Sequence, residues 1–256
     1  NNNIRNRNYQ ILMNINNIYR YNDIIINDIN NIINENSINY KVKYLYEIYY
    51  KMVDKTNYLT KIYEFGTYIG DIRNNKREDR GKMIYYNGDV YEGEWKNDKI
   101  EGKGIYNFSN CNRYEGYFKD GRRNGKGIMY YNNGDKFVGN WENDRREGKG
   151  ILYFNNGNRY EGDFKFGNID GKGRFFYKDG DSYEGDFKQN KRVGKGIYYY
   201  INGNRYEGDW KNDKMEGEGI YYYNNGSREM GNYLKGQKVG YHVILKANGQ
   251  IKQMKY

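Results

Sequence analysis

From residue 68 onward, three positions spaced two apart recur every 23 residues without slipping. The middle position is Gly70, Gly93, Gly116, Gly139, Gly162, Gly185, Gly208 and Gly231. Two residues earlier stand Tyr68, Tyr91, Tyr114, Phe137, Tyr160, Tyr183, Tyr206 and Glu229. Two residues later come Ile72, Trp95, Phe118, Trp141, Phe164, Phe187, Trp210 and Tyr233, so one slot holds all three tryptophans. Every second side chain of a strand points to the same face. A fixed period of about 20–50 residues marks a stack of like units, none able to bury its apolar face alone.

Residues 150–164 show the unit. Two aromatic-rich runs flank Asn156 and Gly157, which predicts a hairpin with a two-residue type I′ turn. Such a turn sets Tyr153 opposite Tyr160 and Ile151 opposite Gly162. One face then carries Tyr160, Gly162, Phe164, Ile151 and Tyr153, with the glycine leaving a notch for rings. The other face carries Arg159, Glu161 and Asp163, with Leu152 and Phe154 nearer the turn. Longer loops such as 165–173, bounded by Gly171 and Gly173, join one hairpin to the next. The expectation is an all-β repeat over residues 66–256, an elongated single-layer antiparallel sheet of consecutive 23-residue β-hairpins. At about 10 Å per repeat it would form a ribbon on the order of 70 Å long.

Residues 1–65 lack the glycine period and are rich in Asn, Ile and Tyr. Ile11, Ile15, Ile18, Asn22, Ile25, Ile29 and Ile32 follow steps of four and three, the seam of a short coiled coil, which makes homo-oligomers one expectation. Residues 40–53 fit a strand or a helix equally. This segment is read as helical or partly disordered.

Composition sharpens the repeat. The chain has no proline, while glycine numbers 33 and nearly all of it sits in period, so backbone geometry is the reason for it. An apolar share of 37%, half of it aromatic, suits rings packed along a thin sheet better than a large aliphatic core. One histidine and one cysteine leave little acid–base or metal chemistry and no internal disulfide, so no cofactor or metal is expected. No stretch reaches the roughly 18–20 apolar residues of a spanning helix. The chain opens on asparagine, which raises the expectation of a longer parent protein.

The runs Tyr91 to Trp95, Tyr114 to Gly116, Tyr160 to Phe164, Tyr183 to Phe187 and Tyr206 to Trp210 read Tyr-Glu-Gly, three of them continuing with Asp and an aromatic residue. Each is followed by a polar, basic stretch, a Gly-Lys-Gly or its variant, and an Asn/Asp-Gly pair. This pattern closely resembles the MORN (membrane occupation and recognition nexus) repeat over about residues 66–250. Phe137 to Trp141 is a milder variant, and the units at Gly70 and Gly231 depart further, as capping repeats do. The structural positions that the resemblance implies are Tyr91, Gly93, Trp95, Tyr114, Gly116, Phe118, Phe137, Gly139, Trp141, Tyr160, Gly162, Phe164, Tyr183, Gly185, Phe187, Tyr206, Gly208 and Trp210. It implies assembly or tethering, with catalysis residing in other domains where it occurs at all.

The net charge of +10 makes acidic partners a question. Arg122, Arg123, Arg145, Arg146, Lys191 and Arg192 fall at equivalent places between hairpins, with Lys126, Lys149 and Lys195 as a second row. They are the candidate contacts for anionic lipid or a partner, and they are expected to lie in loops. Regular glutamates (Glu92, Glu115, Glu161, Glu184, Glu207) disfavour nucleic acid. His242 stands where earlier repeats have Gly219 and is read as structural, and Cys111 replaces a turn glycine. The favoured reading is a non-catalytic scaffold or tether, cytoplasmic and peripheral to a membrane or cytoskeletal structure, with protein partners on the ring-lined face. The alternatives are the regulatory arm of a lipid kinase or SET-type lysine methyltransferase whose catalytic domain lies elsewhere, and an anionic phospholipid-binding module.

Overall fold

The computed structural model describes residues 58–256. The seam from Ile11 to Ile32 and segment 40–53 lie outside the described residues. All secondary structure in the described chain is strand or turn, and every pairing is antiparallel. It falls into two compact units that divide between Ser109 and Asn110. The described part of the first unit has strands Leu59–Tyr63, Gly66–Arg73, Lys76–Tyr85, Val90–Lys96 and Lys99–Asn107, each paired with its predecessor. Leu59–Tyr63 lies inside the segment read as helical, and there the chain is strand.

The second unit runs from Arg113–Lys119 to Ile251–Lys255 in the same serial order. Its repeat is a strand of 7 residues holding Tyr-Glu-Gly, such as Arg159–Lys165, followed by one of 9 residues holding the paired glycines, such as Asn168–Phe176. The sheet is a single layer of hairpins, as the periodicity requires.

The register differs from expectation by one residue. Tyr160 faces Leu152, Gly162 faces Gly150, and Glu161 faces Ile151. The cause is the turn. Phe154 N–H donates to the Asn158 carbonyl at 2.9 Å, and Gly157 N–H donates to the Phe154 carbonyl at 3.0 Å. This is a three-residue loop ending in a bulged glycine, and only Gly157 (φ 91°) is left-handed. The two-residue turns lie instead where longer loops were expected. Lys165 pairs directly with Asn168 across Phe166 and Gly167, both with positive φ. Asn143 with Asp144 and Asn212 with Asp213 do the same.

A one-residue slip exchanges faces. Leu152 therefore joins Tyr160 and Phe164 on the buried side, while Ile151 and Tyr153 go to the opposite side with Arg159, Glu161 and Asp163. The shift also aligns the glycines. Gly150, Gly162, Gly173, Gly185, Gly196, Gly208 and Gly219 face one another strand after strand.

The Tyr160 ring lies over Gly162 and Gly173, so the notch is filled by the ring two residues upstream. A Cβ on Gly173 would stand 2.5 Å from Tyr160 Cε2. The Tyr160 hydroxyl donates to the Asp163 carbonyl at 3.1 Å. Its ring meets Phe164 and Phe187 edge-on at 5.3 and 5.1 Å, linking each repeat to the next. Such edge contacts add about 0.5–1.5 kcal/mol beyond burial. Tyr160 is fully buried and Phe164 nearly so.

Candidate interaction faces

The nine cationic candidates do not form one edge, and none lies in a loop. Arg122, Arg145 and Lys191 are the exposed first residues of their strands. Arg123, Arg146 and Arg192 come next and turn to the ring face. Lys126, Lys149 and Lys195 are exposed residues in the middle of those strands, on the face opposite the rings.

The middle set packs against the core rings. The Arg123 guanidinium sits 4.4 Å from the Trp141 ring, and its Nε donates to Asp144 Oδ1 at 2.9 Å. Arg192 repeats this with Trp210 at 4.4 Å and Asp213 at 3.3 Å. In the first unit, Arg77 does so with Trp95 at 4.4 Å and Asp98 at 3.0 Å. Burial pushes the Asp98 carboxyl up, but bonds from the Arg77 backbone and side chain more than offset this and hold it below the usual range. Every tryptophan has this arginine and aspartate. Next to a phenylalanine or Tyr233 the arginine slot holds Ile100, Ile169 or Met215, or Arg146, which donates to the Gly167 carbonyl. The signal was present in the sequence as a correlation between slots.

Outside this set, the turn edge places cations directly opposite each other. Lys119 pairs with Arg122, Lys188 with Lys191, and Lys211 with Lys214. Like charges across a ladder destabilise it. Lys188 is relieved by Asp170 at 3.2 Å, and Arg145 faces Glu142.

The ring face, expected to receive partners, is the molecule's own core: Tyr91, Tyr114, Tyr160, Tyr183 and Tyr206 are fully buried and their Trp/Phe partners nearly so. Among the described residues nothing covers the opposite face. In the second unit it forms a groove of about 900 Å³ floored by the glycine row and lined by Glu161, Glu184, Glu207, Lys149, Lys172 and Lys195 among others. A ladder of ion pairs crosses it: Lys149 to Asp163 at 2.7 Å, Lys172 to Asp186 at 3.2 Å, and Lys195 to Asp209 at 2.7 Å. Along its rim cations cover rings, with Arg159 4.3 Å from Phe176 and Arg205 3.8 Å from Tyr222. Tyr117 and Tyr153 are exposed on this face.

The last repeat is built differently. Glu229 occupies the tyrosine slot, and His242 fills the space over Gly231, where a Cβ would lie 2.5 Å from its Nε2. Both side chains are buried. His242 Nε2 lies 2.9 Å from the Asn232 carbonyl, the bond that a tyrosine hydroxyl makes elsewhere. That acceptor assigns the Nε2 hydrogen. Nδ1 faces Glu229 Oε1 at 3.1 Å, close in space but off-line for a hydrogen bond. Glu229 Oε2 accepts from Lys238 Nζ at 2.6 Å and from the Tyr223 hydroxyl. Burial pushes the Glu229 carboxyl up, yet these bonds hold it below the usual glutamate range. Lys238 is thereby drawn into this cluster.

Turn asparagines and aspartates also have a role that sequence reading missed. Asp135, Asn158 and Asp181 accept, through Oδ1, the backbone N–H of Asn155, Lys178 and Ile201, twenty residues on. Each turn is thereby fastened to the next. Cys111 is exposed, with φ 67° in the glycine slot. Among the described residues no helix is long and apolar enough to cross a membrane.

Comparison with protein families matches the MORN repeat to residues 68–90, 91–110, 114–136, 137–159, 160–182, 183–205 and 206–228. Comparison with curated proteins gives no match. Among solved structures, the TCP10 domain of Danio rerio CPAP, in complex with a peptide of Danio rerio STIL, is 13% identical, with a TM-score of 0.42. That likeness covers 78% of this chain and 100% of that one. The TCP10c domain of Drosophila melanogaster Sas-4 is 16% identical over 71% of this chain and 99% of that one, with a TM-score of 0.28. Scores this low do not assign a common fold.

Proposed function

The chain belongs to the MORN repeat family, and from that premise we propose that it is a non-catalytic scaffold or tether that holds protein partners on its groove face. One observation carries this reading. The periodic rings are consumed by internal packing, which leaves the opposite face of the second unit as an open sheet bearing charged and aromatic side chains at the repeat spacing. Such a surface offers many equivalent contacts along an array of hairpins, which is how stacked repeats engage partners. A cytoplasmic position beside a membrane or cytoskeletal structure goes with this reading. The test is a photo-crosslinking residue placed at Tyr153 or Ile197 on the groove face, and at Arg145 on the turn edge. Crosslinks to other polypeptides are expected from the groove positions. Crosslinks from Arg145 alone, or from none of the three, would refute the reading.

The facing cations at the turn edge favour a second reading, contact with anionic phospholipid. Strands that keep Lys211 opposite Lys214 gain from an external anion, and each cation near an anionic surface contributes about 1 kcal/mol. Arg122, Lys191 and Lys214 changed to Gln should abolish co-sedimentation with phosphatidylserine vesicles and leave the fold intact, because all three are exposed. Arg123 and Arg192 are unsuitable for that test, since they support the tryptophans. Absence of sedimentation at low salt ends this second reading.

A further inference from the structure

The groove changes character along the second unit. In repeats 160–176 and 183–199 its cations and carboxylates alternate and pair. In repeat 206–222 the lysine slot is Glu218, which faces Asn232. Glu207 faces Ile197 and Ile220. Its strand neighbour Arg205 lies over Tyr222 as Arg159 lies over Phe176, but Arg159 also reaches Glu161 at 3.3 Å. Glu207, Asp209 and Glu218 thus give this repeat an uncompensated negative floor in a chain of net charge +10, with only Asp209 tied to a lysine.

At the slots over the groove floor the next repeat is uncharged, and Arg228 keeps the cation of the Arg205 slot. Met230, Asn232, Tyr241 and Val243 stand where repeat 183–199 has Glu184, Asp186, Lys195 and Ile197. Tyr241 is 61% exposed and Val243 37%. The Lys255 ammonium lies 5.6 Å from the Tyr241 ring centroid, and the ring is otherwise exposed. An acidic step therefore adjoins an exposed apolar one, on a sheet face that no other described residues cover.

We propose that Glu207 and Glu218, together with Met230, Tyr241 and Val243, dock an extended segment of a protein partner in which basic side chains stand beside a large apolar one. The inference rests on the scaffold reading above and names the chemistry of its partner. Charge complementarity selects the basic residues, and fully removing a ring from water at Tyr241 gives the apolar one its gain. Glu218 and Tyr241 are two strands apart, roughly 10 Å, which an extended chain spans in about three residues. The basic and apolar residues of the partner should have that spacing.

The probe is a fluorescein-labelled peptide with two lysines and, three residues after the second, a phenylalanine, in a Ser/Thr background. Two controls replace the lysines with glutamates or the phenylalanine with serine. Fluorescence anisotropy with the full chain should show the first peptide binding at least tenfold more tightly than either control. Glu218→Lys, which restores the residue type of the other repeats, and Tyr241→Ser should each weaken it about tenfold, with unchanged circular dichroism. Equal binding of the glutamate peptide, indifference to Glu218→Lys, displacement by phosphatidylserine vesicles, or no binding at all would overturn the proposal. Crosslinks from Tyr153 or Ile197 in the face of a silent probe would leave the scaffold reading standing and reject this one alone.

Discussion

Repeat 160–176 and the repeat that ends at Leu245 solve one packing problem with different residues. In the first, Tyr160 lies over Gly162 and Gly173 on neighbouring strands and bonds to the carbonyl of Asp163. In the second, the ring comes from the other strand: His242 replaces the second glycine, lies over Gly231, and bonds to the carbonyl of Asn232. The vacated tyrosine slot is taken by Glu229, which Lys238 and Tyr223 keep ionised. What the fold demands is a ring above the glycine row, not a tyrosine at one position; a hydrogen-bond donor accompanies it here but not at Phe137. The body of the stack is held by neutral phenols and its last repeat by a buried charge cluster, so the two should fail under opposite conditions.

The largest expected effect is alkaline loss of the body. Burial raises the hydroxyls of Tyr91, Tyr114, Tyr160, Tyr183 and Tyr206 well above 10. In the unfolded chain they ionise near 10. Their stabilisation is therefore complete below about pH 10 and declines as pH rises past it, by about 1.4 kcal/mol per pH unit for each such tyrosine. Exposed tyrosines aside, the buried share of the tyrosinate absorbance should appear together with the loss of circular dichroism. Complete tyrosinate absorbance near pH 10 with the sheet intact would contradict the buried-phenol account.

Next in size is Tyr160→Ala, expected to cost about 3–5 kcal/mol in thermal unfolding. Tyr160→Phe should cost only about 1 kcal/mol, since it loses one hydrogen bond and Phe137 already serves in that slot. Equal costs would mean that the hydroxyl, not the ring, holds the repeats together.

Exchange of the terminal device is the sharpest comparison. Glu229→Tyr alone sets two rings over Gly231, and His242→Gly alone removes the ring over Gly231 and leaves a cavity beside the Glu229 carboxylate. Each should destabilise the last repeat by about 2–4 kcal/mol. The double change recreates the body arrangement and should recover most of the loss, a coupling of about 1–3 kcal/mol. Additive losses, read by amide exchange of residues 228–245, would reject the equivalence.

The smallest effect is acid fraying of that same repeat. Because the folded Glu229 carboxyl sits below its ordinary value, its contribution is present above about pH 4.3 and declines as pH falls further. Amides of 237–245 should exchange faster at pH 3 while those of 168–176 hold. Uniform loss across both would show that the cluster has no local role.

The sequence by itself determined the period, the serial antiparallel hairpins, the slots of ring and glycine, and the family, because each is a recurrence visible in residue identity alone. It also held the link among Arg192, Trp210 and Asp213, in a correlation between slots that a reading by motif passes over. Register was decided only in three dimensions. Asn156 and Gly157 suit a two-residue turn or a bulged three-residue one equally well. The choice falls to the latter because it brings Gly162 between Gly150 and Gly173 and gives Tyr160 a flat backbone to lie on. That single residue of shift moved Arg123 from a supposed loop to a place against the core rings, hid the ring face expected to meet partners, and left the groove uncovered by described residues. A strand's side chains alternate with period two, so local chemistry fixes which residues share a face, and only the neighbouring strands fix which face is buried.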